Sequence, residues 1–195
     1  QVLQASTMIK RLGRLWPGGA RSGLYLKRRM EWRGDRFVNC ADPKHSQDIA
    51  SILGLEDAKG QETPGIEVTS ASAPEESKPL SESEGRLVAR DVGSVLYLAL
   101  DRPEIQYAAK CLAADLQQPT ELTLERAKRL ARFLLEFPCT EWHYIIQAES
   151  EAGVLSGYSE SDWTADVAAR RSTSGHCIFH GKHLVDAGSA SQHTS

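Results

Sequence analysis

The hydrophobic pattern of this chain changes period near residue 142, which limits the folds open to it. Before that point apolar residues recur every three or four positions, as in Ile105, Ala108 and Leu112, the spacing of one helix face. After it, the segments WHYIIQA, VLSGYSES and HCIFHG alternate as strands do. The order predicts an α+β protein, in which an antiparallel helical packet precedes a β-rich unit of three strands.

Turn and cap residues mark where several of these elements begin and end. Gly34-Asp35 lies between two stretches of β-type residues and predicts a hairpin. Asp42-Pro43 supplies an N-cap and a proline for the first turn of a helix, which Gly54 ends or interrupts. Asp101-Arg102-Pro103 breaks the next helix, and Pro119-Thr120 starts another, with Leu124, Ala127, Leu130, Ala131 and Leu134 on its buried side.

Residues 56–90 are rich in acids, Ser, Pro and Gly and have no hydrophobic period, so they predict a solvated linker. The chain is thereby divided into residues 1–55, the linker 56–90, helices in 91–141 and the β-rich unit 142–195. Residues 1–36 contain nine Lys or Arg against two acids, whereas residues 37–90 contain five against ten. A polyanion should therefore meet the N-terminal end first.

Composition excludes several classes of protein. With 41% hydrophobic and 25% charged residues, the chain is globular rather than disordered. Its four cysteines lack CxxC spacing, which favours reduced thiols in an intracellular protein, cytoplasmic or nuclear. No run of about 18 apolar residues occurs, so we expect no membrane span. The chain begins at Gln1 rather than Met, which indicates a piece of a longer translation product.

Six short segments follow one another in a fixed order: GSVLYLA from Gly93, DRPEI from Asp101, QPT from Gln118, AKRLARFL from Ala127, GYSESDWTAD from Gly157 and RRSTSG ending at Gly175. This ordered set resembles the Pol polyproteins of copia-type LTR retrotransposons, at the end of reverse transcriptase and the start of ribonuclease H. Upstream of these segments, the stretch KRRMEWRGDRFVNCADPKHSQDIASILGLEDAKGQETPG is similar to the family more loosely. The resemblance as a whole covers residues 23–195.

The resemblance implies a fold and a chemistry. Residues 1–55 would be the end of the reverse transcriptase palm, 91–141 the thumb or connection helices, and 142–195 the opening strands of an incomplete ribonuclease H-like domain. The parent family makes DNA from RNA for DNA integration and cleaves the RNA of RNA–DNA hybrids. Both reactions use acidic side chains that hold Mg²⁺ or Mn²⁺, two ions about 4 Å apart.

The acids of the Gly157 to Gly175 segment only partly match that requirement. The family's polymerase uses a Tyr-Val-Asp-Asp turn, and this sequence contains no adjacent aspartates. The family's first ribonuclease H aspartate aligns with Glu160, whose extra methylene displaces the carboxylate, and octahedral Mg²⁺ tolerates such displacement poorly. Glu160 is thus a degenerate catalytic and metal position, and Asp162 a weaker catalytic candidate. On spacing alone, an ordinary solvated acidic cluster is the alternative.

Five cations are candidates for contacts to nucleic acid: Lys128, Arg129 and Arg132 on one helix face, and Arg170 and Arg171 after the acids. Phosphate contacts of this type give affinity without sequence preference. A solvated surface is again the alternative. Zinc is not expected at His176, Cys177, His180 and His183, because neighbours in a strand point to opposite faces.

These observations predict a fragment of a reverse transcriptase and ribonuclease H polyprotein that is inactive alone and binds no metal. The family's later acids are expected beyond Ser195. The expected partners are an RNA–DNA hybrid, bound weakly through charge, and the rest of the polyprotein. The alternative is a non-enzymatic module that binds nucleic acid or protein.

Overall fold

The computed structural model describes residues 15, 18–66, 77–166 and 171–192, with the backbone alone at 162–166 and 171. In these ranges the strands are β1 (Ser22–Tyr25), β2 (Arg28–Trp32), β3 (Arg36–Ala41), β4 (Trp142–Ile145), β5 (Leu155–Asp166), β6 (Arg171–His180) and β7 (His183–Ser191). The helices are α1 (Pro43–Ile52), α2 (Glu82–Ala99), a 3₁₀ turn (Pro103–Ile105), α3 (Gln106–Asp115), α4 (Glu121–Glu136) and α5 (Glu149–Ala152). The strands form two antiparallel sheets, β1-β2-β3-β4 and β5-β6-β7, called the first and second sheet.

The local signals in the N-terminal part are confirmed. Gly34 adopts a φ of 75°, and the Arg33 amide donates to the Arg36 carbonyl at 2.9 Å, which closes the hairpin between β2 and β3. Asp42 caps α1 by accepting from the Lys44 amide at 3.0 Å. Gly54, with a φ of 66°, follows the end of α1 in the left-handed conformation that favours glycine.

The predicted linker 56–90 is wrong at its C-terminal end, because α2 begins at Glu82. The Ser81 amide donates to Glu84 Oε2 at 3.0 Å, and the Glu84 amide donates to Ser81 Oγ at 3.4 Å, which is a capping box. The Ser and Glu residues at 81–84, which suggested a linker, are therefore the start of a helix. Residues 67–76 of the predicted linker lie outside the described part.

Helices α1 to α4 share one hydrophobic core with the end of the first sheet. The cluster joins Ala41 and Ile49 to Val88, Val92, Val95, Leu98 and Ala99 of α2, to Ile105, Ala109 and Leu112, and to Ala127, Leu130, Ala131, Phe133 and Leu134 of α4. Most of the predicted buried side of α4 belongs to this cluster, and Leu124 packs against it. The hairpin, α1 and the helical packet therefore form a single packed unit.

The boundary of the β-rich unit also needs correction. Strand β4 was expected to open it, but pairs with β3 in the first sheet, with Asn39 opposite Trp142 and Arg36 opposite Ile145. Trp142 Nε1 also donates to the Asp101 carbonyl at 2.9 Å, which fixes the strand beside α2. The second sheet begins at Leu155 and contains β7, a strand that the periodicity did not predict.

None of the helices among the described residues has both the length and the hydrophobicity of a membrane span.

Candidate functional site

A cleft of about 700 Å³ lies between α3 and the second sheet, and Glu160 is on its wall. Gln106 and Tyr107 line it from the helix, whereas Tyr158, Glu160 and Phe179 line it from the sheet. Tyr158 meets Phe179 edge to face at 6.0 Å between ring centroids. Among the described residues, the cleft therefore combines aromatic walls with one carboxylate.

Helix α3 holds the sheet through polar contacts at this cleft. Lys110 Nζ donates to Thr173 Oγ1 at 2.6 Å and lies 4.8 Å from the centroid of the Tyr107 ring. Gln106 Nε2 donates to the Ala187 carbonyl at 3.1 Å. Since Thr173 and Gly175 are two residues apart and Gly175 pairs with Glu160, the Lys110 ammonium is on the sheet face that carries Glu160.

The Glu160 side chain lies beside Gly175 of the neighbouring strand. It pairs with Gly175, and a Cβ added at that glycine would lie 3.5 Å from Glu160 Cγ and 3.6 Å from Oε1. The Glu160 side chain thus lies across β6 inside the cleft. Asp162 pairs with Thr173 through the backbone, and its side chain lies outside the described part.

The described residues do not fit a divalent metal site. Glu160 is the sole carboxylate among the described residues that line the cleft, whereas Mg²⁺ and Mn²⁺ sites in proteins draw on several oxygens. Across the described ranges, no group of three or more His, Cys, Asp and Glu is arranged to hold a metal ion.

The histidines of the second sheet do not converge. His176 Nε2 lies 3.1 Å from Asp186 Oδ2 and its ring covers Gly188, while Cys177 lines the cleft. His183 Nδ1 lies 2.8 Å from Gln147 Nε2. His176 and His183 thus each have a local structural partner.

The cationic face of α4 is partly covered by the chain itself. Arg129 and Arg132 contact residues 59–65, a segment that we call the strap. Arg132 Nε donates to the Lys59 carbonyl at 2.6 Å, and the Gln61 amide donates to the Arg132 carbonyl at 3.2 Å. Lys128 remains exposed. The predicted set of three cations thus presents one exposed cation and two that bind the strap.

The structure does not describe the side chains of the other two predicted cations, Arg170 and Arg171. Arg170 lies outside the described residues, and Arg171 is described by its backbone, which pairs with Asp166. The second sheet therefore provides no side-chain geometry for either of them.

The contacts or the burial of several residues had no clear signal in the sequence. Lys110 and Tyr107 are three residues apart and so share a face of α3, but nothing local indicated that the second sheet covers that face. Asp91 of α2 is fully buried, and desolvation raises the pKa of its carboxyl to about 7. Burial and a hydrogen bond with the Cys40 sulfur raise the pKa of the Cys139 thiol to about 12.

No family model matches the chain, and no solved structure matches it either. The chain is 36% identical over 101 residues to the retrovirus-related Pol polyprotein from transposon RE1 of Arabidopsis thaliana. The match covers 52% of this chain and 7% of that protein. The corresponding polyprotein from transposon RE2 is 33% identical over 101 residues, 52% of this chain and 7% of that protein.

A second kind of relative is shorter. An uncharacterized mitochondrial protein of Arabidopsis thaliana is 28% identical over 142 residues, which is 73% of this chain and 56% of that protein. The chain thus matches little more than half of this relative and a small part of each polyprotein.

Proposed function

Because the chain is related to the Pol polyproteins of retrovirus-related, copia-type transposons, we propose that it derives from their reverse transcriptase and ribonuclease H region and is catalytically inactive alone. The parent activities are RNA-directed DNA synthesis and the cleavage of RNA in RNA–DNA hybrids, with Mg²⁺ or Mn²⁺. Its partners would be an RNA–DNA hybrid and the rest of the polyprotein.

One observation supports the proposed inactivity: Glu160 lies in the cleft at the position where the family motif has aspartate. Its side chain crosses Gly175 as the sole described carboxylate of the cleft, and the Lys110 ammonium is on the same sheet face. A single carboxylate supplies fewer oxygens than Mg²⁺ and Mn²⁺ sites in proteins draw on. The sequence also lacks the paired aspartates of the polymerase turn.

A hybrid-cleavage assay tests this proposal. Purified chain in excess over a labelled RNA–DNA hybrid, with Mg²⁺ or Mn²⁺, should release no product above a protein-free control. The Glu160→Ala variant should behave identically. Turnover that Glu160→Ala abolishes would overturn the proposal, whereas turnover that it leaves unchanged would indicate a contaminating nuclease.

The alternative function is a non-enzymatic module that binds nucleic acid through the α4 cations. The observation that favours it is the exposed Lys128 beside two guanidinium groups whose acceptors in the strap are uncharged. Binding to a hybrid should weaken as salt rises and should be lost in a triple alanine variant of Lys128, Arg129 and Arg132. No binding at low salt would remove this alternative.

A further inference from the structure

The strap contains a sequence feature that occurs once in the chain. Of the eight prolines, Pro64 alone follows a hydroxyl-bearing residue, Thr63. Thr63 is exposed and belongs to neither a helix nor a strand. Protein kinases that are directed by proline modify Ser or Thr in this context, in chain that is accessible and irregular. Thr63 therefore meets the local requirements for such a kinase.

Arg129 makes this threonine different from an ordinary loop residue. Its Nε donates to the Thr63 carbonyl at 3.0 Å, and its Nη2 donates to Thr63 Oγ1 at 2.6 Å. A third donor, Nη1, binds the side-chain oxygen of Gln61. The guanidinium fork is thus already directed at the atom that would carry a phosphate.

The charge of Arg129 is not balanced by this arrangement. Its three acceptors are two neutral side-chain oxygens and one carbonyl. In the described part of the chain, no ion pair includes Arg129. A phosphate would be a better acceptor, because hydrogen bonds between guanidinium and phosphate are charge-assisted and can be bidentate.

The strap packs closely against α4, so a charge added to the strap would act on that contact. Gly60 lies against α4 so closely that an added Cβ would be 2.8 Å from Glu136 Cβ. The amide of Gln61 donates to the Arg132 carbonyl at 3.2 Å. That amide hydrogen bond joins the strap to the helix, so its hydrogen exchange reports how often the strap lifts.

We propose that Thr63 is a phosphorylation site and that Arg129 binds its phosphate, which fixes the strap on α4. A proline-directed Ser/Thr kinase would transfer the γ-phosphoryl group of ATP. Thr63 Oγ forms the new O–P bond, the bond from the γ-phosphorus to the bridging oxygen breaks, and ADP leaves. The hydroxyl proton passes to the base of the kinase. A phosphate opposite an arginine orders a loop in this way.

The first experiment asks whether the folded chain is a substrate. The purified chain and a peptide spanning residues 58–66 are incubated with a proline-directed kinase and ATP, and the modified residue is mapped by mass spectrometry. We expect one phosphate on Thr63 in both, none in Thr63→Ala, and phosphorylation retained in Thr63→Ser. Modification of the peptide alone would overturn the proposal.

The second experiment asks whether Arg129 binds the phosphate. In phosphorylated chain, ³¹P resonances should titrate at lower pH than in the phosphopeptide, and the Gln61 amide should exchange about tenfold more slowly than before phosphorylation. Arg129→Gln should abolish both effects, whereas Lys128→Gln, which removes a neighbouring exposed cation, should retain them. A peptide-like titration with unchanged or faster Gln61 exchange would contradict the proposal. Neither readout depends on the function of the polyprotein.

Discussion

Replacing Asp91 by asparagine should stabilise the protein at neutral and alkaline pH. Asp91 is fully buried in α2, and neither carboxylate oxygen has a hydrogen-bond partner in the described part of the chain. Desolvation raises the pKa of its carboxyl from 3.8 to about 7. The folded state therefore retains a proton that the unfolded state has already lost between these two pH values.

The size and sign of the effect follow from the difference in bound protons between the folded and unfolded states. Because the folded state binds more protons, the free energy of unfolding falls as pH rises from 3.8 to about 7, by about 1.4 kcal/mol per pH unit. The full loss is about 4 kcal/mol above that window. Asparagine has nearly the shape of the protonated acid and does not titrate, so the variant should lack this loss.

Urea denaturation of wild type and Asp91→Asn at pH steps from 4 to 8 measures the difference. The two proteins should differ little at the acid end, and the variant should be more stable by up to about 4 kcal/mol at the alkaline end. Asp57→Asn, which changes an exposed aspartate, is the matched control. A wild type minus Asp91→Asn difference that is constant with pH would refute the reasoning.

Two further variants test the fold. Leu26 and Lys27 form the turn between β1 and β2 with φ values of 49° and 59°. Because glycine adopts positive φ without the steric cost of a side chain, Lys27→Gly should raise the free energy of unfolding by about 1 kcal/mol. An unchanged thermal midpoint would argue against this turn. Arg102 is fully buried, donates to the Phe137 carbonyl at 2.9 Å and pairs with Glu104. Arg102→Met should therefore lower the free energy of unfolding, measured by urea denaturation, by about 3 kcal/mol. Arg86→Met, which removes an exposed helical ion pair, should change it little.

The parts of the fold that were predictable depend on neighbouring residues. The hairpin at Gly34, the cap at Asp42 and the start of α4 after Thr120 each follow from a few consecutive side chains and the turn or helix end that they favour. The start of α2 had such a signal in Ser81 and Glu84, but the surrounding Ser and Glu residues suggested a linker instead.

The parts that were missed depend on distant residues. Strand β4 has the right period, yet its pairing with β3 is set by contacts such as that of the Phe37 and Tyr144 rings, 6.0 Å apart. Strand β7 contains Ala, Gly and Ser, which have weak strand preference, and it forms by pairing with β6. Periodicity reports which face a residue occupies and not which element covers that face.

In the candidate site, too, the features set by neighbouring residues were predictable and those set by distant residues were not. The position of Glu160 on a strand and the cationic face of α4 were predictable from the local pattern. The approach of Lys110 to Thr173 and of Arg129 to Thr63 was not, because each joins elements separated by a long stretch of chain. The partners of charged side chains therefore had to come from the structure.

Affinity for Mn²⁺ tests the central proposal most directly, namely that the Glu160 cleft has lost the metal site of its family. Electron paramagnetic resonance of Mn²⁺ titrated with the purified chain reports free ion without any need for turnover. We expect no saturable binding at millimolar concentrations, and the same result for Glu160→Ala. Saturable binding by the wild type that Glu160→Ala removes would contradict the account.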